Sequence, residues 1–256
     1  MSDSNTWSWL FDGANWRNTY GQTGIATQLA NHVEYSAIAL GIAVAIGLPL
    51  GLVIGHTCRA AFLVSVVNGV RALPSIGLLV LFYVILAPHF HGRGNGVFLI
   101  PTEIVLILLA IPPILANTYA GVQNVGDAAR DAARGMGMTG GQVLWKVEFP
   151  NALPLIFSGF RSATLQVIST ATVAAYVGLG GLGRFVYDGL ASHDFPQVVS
   201  GAILVAVLAL VADLALALVQ RYATSRGVTG RFARTRGAAT PGAVDGAVEQ
   251  LEVATT

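Results

Sequence analysis

Residues 127–150 read DAARDAARGMGMTGGQVLWKVEFP, a polar stretch set between long apolar runs on either side. Asp127 to Arg134 is rich in alanine with acids and bases at helical spacing, which predicts a short surface helix. Gly135, Gly137, Gly140 and Gly141 then break it. A second short amphipathic run, residues 143–149, leads to Pro150 and back into apolar sequence. Helix, glycine turn and return helix make a compact knob, a shape suited to docking on something outside the apolar body.

The flanks of this knob determine its surroundings. Of 256 residues, 54% are hydrophobic and only 11% charged, where a soluble domain carries about 25% charged. The mean hydropathy of +0.65 fits a chain whose solvent is largely lipid. Disorder, collagen and a soluble coiled coil are excluded on the same grounds. The net charge of +1 creates no global field for nucleic acid. The single cysteine, Cys58, cannot form an internal disulfide and reads as a small apolar filler.

Crossing about 30 Å of hydrocarbon takes about 20 apolar residues. Five stretches qualify: residues 34–55, 61–88, 97–122, 153–177 and 198–220. Before them, residues 1–30 lack a basic region followed by an apolar core, so no cleaved signal peptide is expected. Trp7, Trp9, Phe11 and Trp16 crowd there instead, either on an interfacial segment or in an ordered loop. Residues 223–256 begin basic and become rich in Ala, Gly and Thr, which predicts a flexible tail.

Basic residues accumulate in cytoplasmic loops. With five spans, one set of loops holds Arg17, Arg93 and Arg184. The other holds Arg59, Arg130, Arg134, Lys146, Arg221, Arg226, Arg231, Arg234 and Arg236. The second set is therefore cytoplasmic, with the N-terminus outside, the C-terminus inside and the connection at residues 123–152 in the cytosol.

Gly47, Gly51 and Gly55 recur every four residues and mark a packing face, toward another span or a second subunit. Pro49, Pro74, Pro112 and Pro113 lie in three consecutive spans and suit a bundle that changes shape, although a static kink is also open. Arg71 falls within the second span, where a guanidinium facing lipid costs at least about 2.5–3.5 kcal/mol. It either lines a pathway or gate, with Pro74 and Ser75, or pairs with a carboxylate such as Asp213. Glu34, Glu103 and Arg161 are expected near span ends, reaching the interface. Gly178, Gly180 and Gly183 form a literal GxGxxG without the strand and acid that dinucleotide binding requires. His89, His91 and His193 do not have the spacing of a metal site.

The knob resembles the signature of permease subunits of binding-protein-dependent ABC importers: E-A-A, three residues, G, nine residues, I-x-L-P. Asp131, Ala132, Ala133, Gly137, Val147, Phe149 and Pro150 occupy that spacing, with Asp for Glu, Val for Ile and Phe for Leu. Arg71-Ala-Leu-Pro74-Ser75-Ile-Gly77-Leu, Arg134-Gly-Met-Gly137-Met-Thr139 and Gly178-Leu-Gly180-Gly181-Leu-Gly183-Arg184 are similar to the branch that imports glycine betaine, choline and carnitine. The likeness covers about residues 28–219.

The resemblance implies an all-α, five-span type I permease in the plasma membrane of a prokaryote. It implies a separate cytoplasmic ATPase dimer using ATP and Mg, with no cofactor on this chain. It also implies an extracytoplasmic binding protein, at residues 90–95 and 182–195, and a second permease, identical or related. Asp131, Ala132, Ala133 and Gly137 become the docking core for the ATPase, with polar contacts from Arg134 and Lys146 and the return turn at Pro150. Consistent with that division of labour, the one lysine, Lys146, belongs to no GxxxxGK[ST] motif. A methionine-type importer and a secondary transporter or channel are the rival readings. The second of these calls for mid-membrane coupling carboxylates, for which Asp213 alone is a candidate.

Overall fold

A computed structural model describes residues 5–18, 23–89 and 96–224. Among them are eleven α-helices and no strand. They are α1 (Thr6–Phe11), α2 (Gly13–Trp16), α3 (Ile25–Thr57), α4 (Phe62–Gly69), α5 (Ser75–Leu86), α6 (Gly96–Gln123), α7 (Asp127–Gly135), α8 (Gly140–Val143), α9 (Phe149–Ala174), α10 (Gly183–Ser192) and α11 (Phe195–Ala223). Met1–Ala223 forms one compact unit. The basic tail expected at residues 223–256 lies outside the described residues beyond Thr224, as do Arg93, His91 and the rest of the external segment at residues 90–95.

The centre of the unit is α6, held between α3 and α9. Small residues make this possible. An added Cβ on Gly47 would meet Ile114 Cγ2 at 3.2 Å, one on Gly51 would meet Thr118 Cβ at 2.7 Å, and one on Gly55 would meet Val122 Cβ at 2.7 Å. The glycine ridge therefore seats α6 of the same chain, with the Ile114, Thr118 and Val122 side chains lying directly on the α3 backbone. On the other side, Gly121 of α6 receives Ala152, and Gly159 of α9 approaches the Pro113 carbonyl. The shared core contains Ala39, Ala43, Ala110, Ala163 and Ala171 around Leu106, Ile114 and Val167. Because lipid is as apolar as these side chains, close packing takes the place of the hydrophobic effect in holding them together.

The α3, α6 and α11 helices are long and apolar enough to cross a membrane, and α4 with α5 makes a fourth candidate if the bent pair counts as one span. The expected fourth span, α9, has 26 residues but lacks the apolarity. Its Arg161 and its Ser, Thr and Gln side chains are why.

The second apolar stretch, expected at residues 61–88 with an interruption at Arg71 and Pro74, is broken there. Two apolar segments, Phe62–Ala72 and Ser75–His89, meet at 90°. Leu73 is extended, with φ −76° and ψ 136°. Pro74 imposes this, because its ring excludes helical geometry from the preceding residue. Arg71 consequently sits in a 3₁₀ turn at the corner, exposed rather than inside a continuous span.

Four other charged or polar groups, Arg161, Asp213, Glu103 and Cys58, also depart from expectation. Arg161 lies near the middle of α9 instead of at a span end, and Asp213 is paired with it, not with Arg71. Glu103 is buried, with neither carboxylate oxygen hydrogen-bonded among the described residues. Glu34, by contrast, is exposed. Cys58 is an exposed free thiol, not a buried filler. Its left-handed backbone, φ 52°, ends α3.

The N-terminal aromatics form ordered structure. Trp9 packs edge-on against Phe185, with ring centroids 5.6 Å apart, Leu10 is buried, and Ser200 Oγ donates to the Thr6 carbonyl. The GxGxxG segment is a turn, with Gly178 at φ +99° and Gly181 at φ +108°. It is latched to α3: Gly181 N–H donates to Gln28 Oε1 at 2.6 Å and Leu182 N–H to His32 Nδ1 at 3.3 Å.

Candidate coupling interface

The sequence around Asp127 folds as its composition directs, with alanine supporting α7 and Asp127 in its first turn facing the helix dipole favourably. Gly137 ends the excursion at φ +81°, a conformation costly for a residue with a Cβ, although open space surrounds the position. Thr139 and Gln142 close a reciprocal capping box that starts α8. The return run at residues 143–149 is not a plain amphipathic helix: Leu144–Glu148 is a π-helical turn, a form that recurs at functional sites. Pro150 then starts α9 from its first turn, where a missing N–H is harmless.

The result is a knob with a well-divided surface. Asp131, Ala132, Arg134, Gly137 and Lys146 are exposed. So are Met136, at 71%, and Trp145, at 60%. Asp131 and Arg134 stay within 3.8 Å of each other on the outer side. Ala133, expected in the docking core, faces inward instead and is buried. Its role is to let α7 lie close on its own chain. Pro150 is half-buried. Arg71, Pro74 and Ser75 belong to the α4–α5 corner and not to this surface; among the described residues Arg71 has no ion-pair partner.

Beneath the knob lies an arrangement that sequence reading missed. Glu148 is 1% exposed. Its Oε2 accepts a hydrogen bond from His56 Nδ1 at 2.6 Å, and its Oε1 lies 2.9 Å from Arg130 Nε. Arg130 Nη2 also donates to the Val122 carbonyl at 2.7 Å. Gln123 Nε2 donates to the Gly55 carbonyl at 2.7 Å, joining the same ends of α3 and α6. The one signal available in the sequence was a carboxylate inside the apolar run Trp145-Lys-Val-Glu-Phe149.

At the end of α3 remote from the knob there is a cavity of about 590 Å³, lined by Trp9, Arg17, Arg184, Asp188 and Asp194 among others. Arg184 pairs with Asp188 at 3.1 Å. Among the described residues no group of three or more His, Cys, Asp or Glu could hold a metal ion.

Residues 15–224 match the family described as binding-protein-dependent transport system inner membrane component. A glycine betaine/carnitine/choline transport system permease protein of Bacillus subtilis is 33% identical, over 78% of this chain and 88% of the relative. A carnitine transport permease protein of Listeria monocytogenes is 36% identical, over 77% of this chain and 85% of the relative. An osmoprotectant import permease protein of Salmonella typhimurium is 33% identical, over 80% and 94%. Among solved structures, a chain of the MetNI methionine ABC transporter in inward-facing conformations superposes with a TM-score of 0.66 at 22% identity, covering 78% of this chain and 96% of that one. That likeness is one of fold.

Proposed function

Because the chain belongs to the binding-protein-dependent transport system inner membrane component family, we propose that it is the membrane-spanning permease of an ATP-driven importer for a compatible solute such as glycine betaine, choline or carnitine. The solute class rests on the relatives, whose names specify glycine betaine, carnitine and choline, carnitine or osmoprotectants as a class. The observation that carries the mechanism is the exposed knob formed by α7 and α8. It has the small residues, the left-handed glycine and the flanking charges of a surface made to seat in a partner's groove.

In this reading a cytoplasmic ATPase dimer binds the knobs of two permease copies, identical or related, and ATP with Mg is used entirely in that dimer. The bundle has five spans in a prokaryotic plasma membrane, with α9 as the fourth. Partner copies and lipid cover its exposed apolar faces, and the N-terminus is outside. α11 presents Val207, Leu210, Val211, Leu214 and Leu218 outward, a face suited to contact with lipid. The extracytoplasmic binding protein docks over α10 and the polar cavity beside Arg17 and Arg184. ATP-driven closure moves the knobs, and the broken α4–α5 segment with Arg71, Pro74 and Ser75 supplies the gate that opens in response.

The test is uptake into proteoliposomes holding the permease with its cognate ATPase and binding protein. ATP-dependent accumulation of labelled choline or glycine betaine is expected. Uptake that persists without the ATPase, or methionine uptake that glycine betaine does not compete, overturns the reading.

A further inference from the structure

Four elements end at one buried carboxylate. His56 is the penultimate residue of α3, Val122 the penultimate residue of α6, and Arg130 belongs to α7 of the knob. Glu148 itself lies in the π-turn, immediately before α9. In that turn Trp145 and Lys146 are exposed while Glu148 is buried, so a single turn presents the knob outward and the carboxylate inward. Each oxygen of Glu148 has its own cationic or N–H partner, at 2.6 and 2.9 Å. The His56 contact is a short hydrogen bond to a carboxylate, a class stronger than neutral hydrogen bonds, and the Arg130 contact is an ion pair in which the Nε–H makes no aligned hydrogen bond. Away from water they hold geometry more tightly than the side chains of a solvated loop do.

We infer that Glu148 is the positioning residue through which displacement of the knob reaches α3 and α6. This rests on the coupling reading of the knob. A shift of α7 carries Arg130, and Arg130 moves against both the Val122 carbonyl and Glu148. Glu148 is bound in turn to His56, so the end of α3 follows. The glycine ridge then passes the movement along α3 and α6 together, because the Ile114, Thr118 and Val122 side chains of α6 are seated directly on Gly47, Gly51 and Gly55 with no room for a Cβ between. Apart from the His56, Arg130 and Val122 contacts, no other tie of this strength links the knob to α3 among the described residues.

The experiment uses the full complex, permease with ATPase and binding protein, in proteoliposomes. Glu148→Gln keeps the shape and removes the charge that holds Arg130, while His56→Gln removes the contact to α3 alone. Both variants are expected to insert, to copurify with the ATPase and to retain basal ATP hydrolysis. Solute taken up per ATP hydrolysed should fall by about tenfold, the scale of losing one hydrogen bond to a charged group. The double variant should be no worse than Glu148→Gln, because both act on one link. An unchanged uptake-to-ATP ratio in either assembled variant overturns the inference. So does failure of both to accumulate, which makes the cluster a folding requirement instead. Asp131→Arg tests the docking reading separately: if it leaves ATPase copurification intact, that reading fails whatever Glu148 does.

Discussion

Arg161 of α9 and Asp213 of α11 form a bidentate pair, Nε to Oδ1 and Nη2 to Oδ2 both at 2.7 Å, on two helices of the apolar bundle. The planar guanidinium matches both carboxylate oxygens at once. Together with the hydrogen bond from Gln220 Nε2 to the Pro154 carbonyl at 3.1 Å, the pair ties α9 to α11, a helix that buries none of its most apolar window within the chain. The pair solves two problems together, since each charge alone within an apolar bundle is costly.

Removal of one partner should therefore do more harm than removal of both. Asp213→Asn or Arg161→Leu leaves an uncompensated charge and should lower the melting temperature in detergent, by an amount equivalent to at most about 2.5–3.5 kcal/mol. Arg161→Leu combined with Asp213→Leu should recover most of that loss. Thermal unfolding of the purified single and double variants is the measurement. Equal loss in all three would mean that the pair carries no charge-specific role.

The ridge on α3 predicts a graded response to side-chain size. Gly51→Ala places a Cβ 2.7 Å from Thr118 Cβ, so α3 and α6 must separate, at about 1–3 kcal/mol. Gly51→Leu should prevent stable accumulation. Gly41, where an added Cβ meets nothing within 4 Å, should accept alanine with no loss. Expression and thermal stability of the three variants check this.

At the knob, Gly137 needs its left-handed backbone but has free space around it. Gly137→Ala should cost about 1–2 kcal/mol through backbone strain alone, with Gly137→Asn milder. Gly137→Asp and Asp131→Arg should leave insertion intact and abolish ATP hydrolysis stimulated by the binding protein. Hydrolysis assays on the reconstituted complex distinguish strain from lost docking, because Gly137→Ala retains stimulation once the protein is folded.

Arg71 stands at an exposed corner, unpaired among the described residues. Arg71→Ala should reach wild-type membrane levels yet lower the rate of solute uptake. Membrane abundance measured beside uptake separates the two effects, and loss of abundance would return Arg71 to a structural role.

Much of this architecture is readable locally. Alanine with acid and base at helical spacing is enough for α7, Gly137 for the turn and Pro74 for a disruption of the second span. The Gly47, Gly51 and Gly55 spacing is enough for a packing face. What local pattern leaves open is the partner of each feature. Pro74 does not state that the bend is 90°, and the glycine ridge serves α6 or a second subunit equally well until α6 is in place. Arg161 read as a span-end charge because its distance along the chain from Asp213 hides their proximity.

Composition and local pattern are enough to say that the chain is suited to lipid, where its polar knob begins and ends, and which motif the knob carries. Those properties depend on composition and short-range periodicity, which survive without knowledge of any other helix. Folding is what pairs Asp213 with Arg161, gathers His56 and Arg130 at Glu148, and leaves Arg71 at a corner without an ion-pair partner among the described residues. Such pairings depend on the rotation and lateral position of whole helices. In a bundle where nearly every face is apolar, hydrophobic pattern says little about either, and close packing with a few buried charges makes the choice.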